Sequence, residues 1–182
     1  MGTIIIQAVD DGKDWSSVET DDVDILYVLE GVGRSRCYLY LTNEVYHMGP
    51  THVFGSPLDV MLDGITEFLQ SYNDINFTWY DEPGTYDWFI YKDKKEPHVM
   101  EVEIIEYEDI ESDLKGKLPK SEVCKTTKFR VKIKVFCTCL LKQIEKIELL
   151  LSEKSYSDRR KKDFDFIKIQ NFKEAYDKRF GY

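Results

Sequence analysis

The chain has 182 residues, 42% of them hydrophobic, 14% aromatic and 32% charged, with a formal net charge of −9. That length suits one domain, which buries roughly 70% of the surface its unfolded form exposes and needs no covalent staples. A membrane helix is excluded because the apolar runs fall far short of ~20 residues, and MGTIIIQAVDDG lacks the basic start of a signal peptide.

Other addresses are equally poorly supported. Ile6 stands where an N-myristoylation motif wants Ser or Thr. Cys37, Cys124, Cys137 and Cys139 include no CxxC pair, so reduced thiols and a cytoplasmic location are expected.

Thr3–Val9 is β-branched and bounded by Asp10-Asp11-Gly12, which predicts a strand, and residues 10–22 read as an acidic loop. Asp24–Gly31 and Arg36–Asn43 form a predicted hairpin around Gly31-Val32-Gly33. That Gly-x-Gly is no dinucleotide fingerprint, since it has no third glycine and no helix behind it. The following YHMGPTHVFGSP reads as loop.

Ser56–Gln70 predicts a helix. Ser56 suits the N-cap and Pro57 the first helical position. Leu58, Met61, Leu62, Ile65, Phe68 and Leu69 recur at helical spacing and mark one apolar face. The opposite face carries Asp59, Asp63 and Glu67 at i, i+4 and i+8, an acidic stripe whose like charges repel. It reads either as solubilising surface facing the basic strand at Arg130, Lys132 and Lys134, or as a binding face for a cationic partner.

Three strands follow: Asn76–Tyr80, Tyr86–Lys92 and His98–Glu106. Glu82-Pro83-Gly84-Thr85 places Pro and Gly at the centre of a type II turn. Phe77 and Trp79 then share a face opposite Tyr86, Trp88 and Ile90, with Asp81 and Asp87 outward and Glu82 in the turn. Aromatic cross-strand pairs explain this composition better than a sugar-cleaving carboxylate pair.

Residues 108–128 read as a long polar excursion. Phe129 to Cys137 alternates with Arg130, Lys132 and Lys134, predicting a strand with a basic outer face. A second helix is predicted near 139–152, then a charged linker (SEKSYSDRRKKD) and a short C-terminal helix. The fold class is α+β: an antiparallel sheet of hairpins and meander, with helices at 56–70 and 139–152 on one side. Residues 1–152 form the domain, and 153–182 a C-terminal segment docked on it.

Charge is unevenly divided. Residues 1–118 hold 25 acids and 8 bases, net −17, while residues 119–182 hold 9 acids and 17 bases, net +8. Mutual neutralisation within one fold is the plain reading. The molecule remains acidic, unsuited to nonspecific nucleic-acid binding and able to steer towards a basic protein. Arg159-Arg160-Lys161-Lys162 is diluted by Asp158, Asp163 and Asp165 and reads as solvated surface.

Catalytic or metal chemistry has thin support. Cys37, His47 and His52 are the residues from which a metal-dependent or hydrolytic site would be assembled, but no CxxC or HExxH unit accompanies them. No cofactor or metal is expected.

The run from the hairpin through SPLDVMLDGITEFL to FTWYDEPGTYDW, roughly residues 24–106, resembles small stand-alone bacterial domains of the toxin-immunity type. The resemblance implies a compact α+β protein that binds and blocks a toxin, often a basic nuclease. It carries over no particular site. The expectation is a non-catalytic protein-binding module for a basic partner. Asp59, Asp63 and Glu67 form its candidate face, and Asp81, Glu82 and Asp87 a second patch. A homo-oligomeric scaffold is the other non-enzymatic reading.

Overall fold

The computed structural model describes residues 6–7, 21–71, 73–108 and 123–181. The strands are β1 (Ile6–Gln7), β2 (Val23–Gly31), β3 (Arg34–Leu41), β4 (Glu44–Met48), β5 (Ile75–Asp81), β6 (Gly84–Lys92), β7 (Val99–Tyr107) and β8 (Val123–Lys132). The helices are α1 (Pro57–Ser71), α2 (Ile133–Leu151), α3 (Lys154–Arg160) and α4 (Phe166–Phe180). Two antiparallel sheets result, ordered β2-β3-β4 and β1-β8-β7-β6-β5. The class is α+β. Of the first predicted strand only Ile6 and Gln7 lie within the described residues, paired with Thr127 and Thr126; the loop expected at 10–22 lies outside them up to residue 20.

The small sheet follows from alternation. Val23, Ile25, Tyr27 and Leu29 point inward from β2, and Ser35, Cys37, Leu39 and Leu41 from β3. Val32 and Gly33 join them with φ of 58° and 78°, the left-handed pair a two-residue hairpin turn requires. The loop expected after β3 is in part a third strand. In β4, Tyr46 and Met48 are buried while Val45 and His47 face out. Five residues behind a Thr42-Asn43 turn were too few to show a period.

β2 is an edge strand, and its outer groups are covered rather than left open. The Tyr27 N–H donates to Gln143 Oε1 (3.4 Å), and Cys139 Sγ donates to the Val23 carbonyl (3.3 Å). Arg160 Nε donates to the Leu29 carbonyl (2.5 Å). Side chains of α2 and α3 thus protect an edge that would otherwise template pairing with another chain.

In the large sheet Phe77 pairs with Trp88 and Trp79 with Tyr86, and all four are buried. The turn differs from the expected one. Asp81 pairs with Gly84, so Glu82-Pro83 form its centre, and the Glu82–Pro83 peptide is cis. Gly84 serves packing: a Cβ there would overlap the Tyr107 carbonyl oxygen on β7. Ser56 accepts the Asp59 N–H at 3.3 Å, so α1 starts where the sequence predicts. Trp79 Nε1 donates to the Pro57 carbonyl (2.8 Å), fastening the start of α1 to β5.

The strand predicted to reach Cys137 ends at Lys132, and α2 begins at Ile133, six residues before the expected position. Ile133, Val135 and Cys137 continue the strand period, which hides the switch. Phe136 departs from it: it is fully buried beside Cys137 while Val135 is only partly so, a break in alternation that one helix face accommodates. The excursion ends earlier too, because Val123 already belongs to β8; residues 109–122 lie outside the described residues.

The charged linker is also corrected. Residues 154–160 are helical and 161–163 form a 3₁₀ turn. α4 follows, capped by Asp165 accepting the Ile167 N–H (2.8 Å), and buries Ile169, Phe172 and Ala175 in the same core as both sheets. Arg179 donates to the Leu69 carbonyl at the end of α1 (3.1 Å).

Candidate functional site

The charge asymmetry resolves into specific pairs between the two segments: Lys128–Glu103 (2.7 Å), Arg130–Asp93 (2.5 Å), Lys132–Asp21 (2.5 Å) and Lys168–Asp63 (2.6 Å). The basic face of β8 therefore meets the acidic face of β7 and the 93–96 turn. It does not meet the stripe on α1.

That stripe is broken into three different environments. Asp59 is half-buried, and burial raises its pKa above the usual carboxylate value, with Ser56 opposing and Asp165 and Asp63 adding to the rise. Asp63 is neutralised by Lys168 of α4. Glu67 is exposed. One free acid is a weak basis for steering a partner.

The second patch is divided between faces. Asp81 shares the face of Trp79, accepts a hydrogen bond from the Tyr86 hydroxyl (3.1 Å), and with burial raises the pKa of that phenol. Alternation had placed Asp81 outward, but it has the parity of Phe77 and Trp79 and lies on their side. Glu82 is exposed in the turn. Asp87 does face outward and accepts from Thr78 Oγ1 (2.6 Å).

Asp87 belongs to a surface that sequence reasoning missed. On the outer face of β6, Phe89 and Tyr91 stack at 6.3 Å with ring planes 5° apart. Ile105 and Tyr107 lie on neighbouring β7, where Asp87 pairs with Ile105 and Phe89 with Glu103. Partial burial raises the pKa of Tyr107, reinforced by Asp87 and Glu103; Tyr91 is raised likewise, with Glu103 and Asp74 as its acidic neighbours. The period-two alternation of Asp87, Phe89 and Tyr91 was the available signal.

Cys37, His47 and His52 are not brought together. Cys37 is buried, and burial pushes its thiol pKa up to about 12. His47 projects from the opposite face of the small sheet and stacks on Tyr38 (4.9 Å). His52 is held at Ser35, two residues before Cys37 on the inward face of β3, and on the other side of the sheet from His47. Among the described residues, no three His, Cys, Asp or Glu side chains are grouped to hold a metal ion.

His52 instead joins Ser35 and Asp163. Ser35 Oγ is 2.6 Å from Nε2, and Asp163 Oδ1 is 3.5 Å from Nδ1. A proton on Nδ1, beside the carboxylate, leaves Nε2 to accept from the Ser35 hydroxyl. The connectivity is that of a nucleophilic triad, but the surroundings suit holding rather than reaction. Ser35 is 1% exposed. Its N–H donates to the Pro50 carbonyl (3.1 Å), and the His52 N–H to Gly33 (2.8 Å), so these donors are not free to stabilise an oxyanion. A cavity of about 470 Å³, lined by Val32, Gly33, Asp158, Arg159, Lys162 and Asp163, reaches the acid end of the relay, away from the serine. The one sequence signal was Ser35 itself, a polar residue at a core register position of β3.

Comparison with protein-family models, with curated proteins and with solved structures gave no match to this chain. No helix of the described residues is long and apolar enough to cross a membrane.

Proposed function

We propose that the chain is a non-catalytic protein-binding module of the toxin-immunity type, which occludes a basic protein partner. The observation that carries this reading is the outer face of the large sheet, where Phe89 stacks on Tyr91 beside Asp87 and Glu103. Binding energy concentrates in a few aromatic anchors, while surrounding charge sets encounter rate and orientation. This face offers the anchor, widened by Ile105 and Tyr107, and a margin on which Asp87 lies beside acid–base pairs that can exchange with a partner's charges. Lys128 pairs with Glu103 and Arg130 with Glu101, as Lys168 does with Asp63 on α1, so what favours this face over the stripe is its aromatic anchor and not unpaired charge. A cytoplasmic location accompanies the proposal.

The test compares wild-type protein with an Asp87→Lys/Tyr91→Ser variant as bait in source-cell lysate, washed at low and high salt. A basic protein retained by the wild type at low salt, and lost with the variant, supports the reading. Identical captured proteins on both baits remove this face from the proposal. Salt-dependent light scattering on the purified chain separates a homo-oligomeric scaffold from a hetero-partner.

A further inference from the structure

Val32 is doubly out of place at the β2–β3 tip. Its φ of 58° is a left-handed conformation that hairpins give to Asn, Asp or Gly, and it strains a β-branched residue. The side chain is also 92% exposed, so it adds little to the core. Neither the turn nor the packing calls for a valine there. Strain of this kind persists where function requires it.

Other apolar side chains gather beside it. Arg34 bridges Thr51, and the His52 N–H donates to the Gly33 carbonyl (2.8 Å), so the turn after β4 runs antiparallel to the tip. The same register sets Val53 opposite Val32. Val53 is 64% exposed, and Phe54, which leans on the Tyr80 ring at 4.6 Å, is 45% exposed. Apolar side chains scattered singly over a surface are ordinary, whereas a group of them marks a contact site.

Cations flank this group. The cavity of about 470 Å³ between the tip and α3 is lined by Val32 and Gly33 on one side and by Arg159 and Lys162 on the other. Arg34, beside the tip, and Lys161, beside Lys162, are exposed as well. Among the described residues none of these four cations is in an ion pair, in contrast to Arg36, which pairs with Glu30. The acids of the cavity wall are Asp158 and Asp163, and Asp163 is turned to His52 at 3.5 Å. Four cations against two acids leave an excess of two positive charges, on a molecule whose net charge is −9. Arg160, within the same basic run, is directed to the Leu29 carbonyl instead.

We propose that the β2–β3 tip and the turn after β4 dock on an anionic lipid bilayer. Val32, Val53 and Phe54 enter the interface, while Arg159 and Lys162 meet headgroup phosphates. A bilayer fits this surface better than a nucleic acid, because valines give bases nothing to stack on. The cations repel a basic protein. Because the rest of the molecule is acidic, attraction to the surface orients it tip first. The docking surface shares no residue with the sheet face around Phe89 and does not rest on that reading.

Co-sedimentation tests the docking, using vesicles of phosphatidylcholine alone or with about 30% phosphatidylserine, at about 0.1 M and about 1 M salt. The expected result is binding to the anionic vesicles at the lower salt that falls away at the higher salt and with neutral vesicles. Val32→Asn weakens that binding about tenfold by removing an inserted aliphatic group. Arg159→Glu/Lys162→Glu abolishes it. Asn suits a left-handed turn position, so Val32→Asn keeps the fold, and urea denaturation separates lost binding from lost folding. Wild-type protein that stays in the supernatant under all conditions overturns the proposal. So does binding that either variant leaves unchanged, or equal binding to neutral and anionic vesicles.

Discussion

Asp63 on α1 and Lys168 on α4 are joined at 2.6 Å, so the acidic stripe of one helix is answered by a basic residue 105 positions later. Both side chains are partly solvent-exposed, which limits such a pair to about 0–1 kcal/mol. An Asp63→Lys/Glu67→Lys variant is therefore expected to fold, with a loss near 1 kcal/mol from facing Lys168 with a like charge. Urea denaturation measures this. If the outer sheet face is the binding surface, the same variant retains its partner; loss of binding returns the stripe to the interface.

Gly84 is fixed by the approach of β7. Its neighbour there is a backbone oxygen of Tyr107, which has no rotamer by which to move aside. Gly84→Ala is expected to destabilise the fold by about 2–4 kcal/mol through strand displacement. Chemical denaturation reads the loss, and a cost within about 0.5 kcal/mol, the range of a neutral surface change, contradicts the close approach.

Asp93 organises the turn between β6 and β7. It accepts from the N–H groups of Lys95 (2.7 Å) and Glu96 (2.8 Å) and pairs with Arg130. The Glu96 N–H is the largest cause holding its pKa below the ordinary value, with Lys95 and Arg130 acting in the same direction against burial. A depressed carboxylate gives stability that is full above its unfolded pKa, about 3.9, and disappears as pH falls through the folded value. Asp93→Asn should therefore flatten the acid limb of the stability curve below about pH 4. An unchanged limb assigns acid sensitivity to other carboxylates.

Arg160 guards the open side of β2. Replacing it with Met removes the guanidinium that lies over the Tyr156 ring (4.4 Å) and leaves the Leu29 carbonyl without its donor. The expected cost is about 1–3 kcal/mol for a charge-assisted hydrogen bond. The variant should also self-associate more readily on warming, as light scattering would detect. A variant as stable and as monodisperse as the wild type would show that the edge is guarded by Cys139 and Gln143 alone.

Local sequence determined the elements whose periodicity is unbroken. Ser56-Pro57 and the apolar spacing from Leu58 to Leu69 specify α1, because a cap and a 3.6-residue period agree on the same boundaries. Alternation likewise specifies the inward faces of β2, β3, β5, β6 and β7. It failed at Ile133, where β-branched residues satisfy strand and helix periods together until Phe136 and Cys137 separate them.

Tertiary structure decided how charges and polar groups are partnered. Nothing local joins Asp63 to Lys168, or His52 to Ser35 and Asp163, because these contacts depend on how α4 and the 3₁₀ turn return to the first half of the chain. Asp59, Asp63 and Glu67 share a helix face by spacing alone. Whether each meets solvent, a lysine or a buried surface depends on the helix packed beside it, and a helical period cannot encode that.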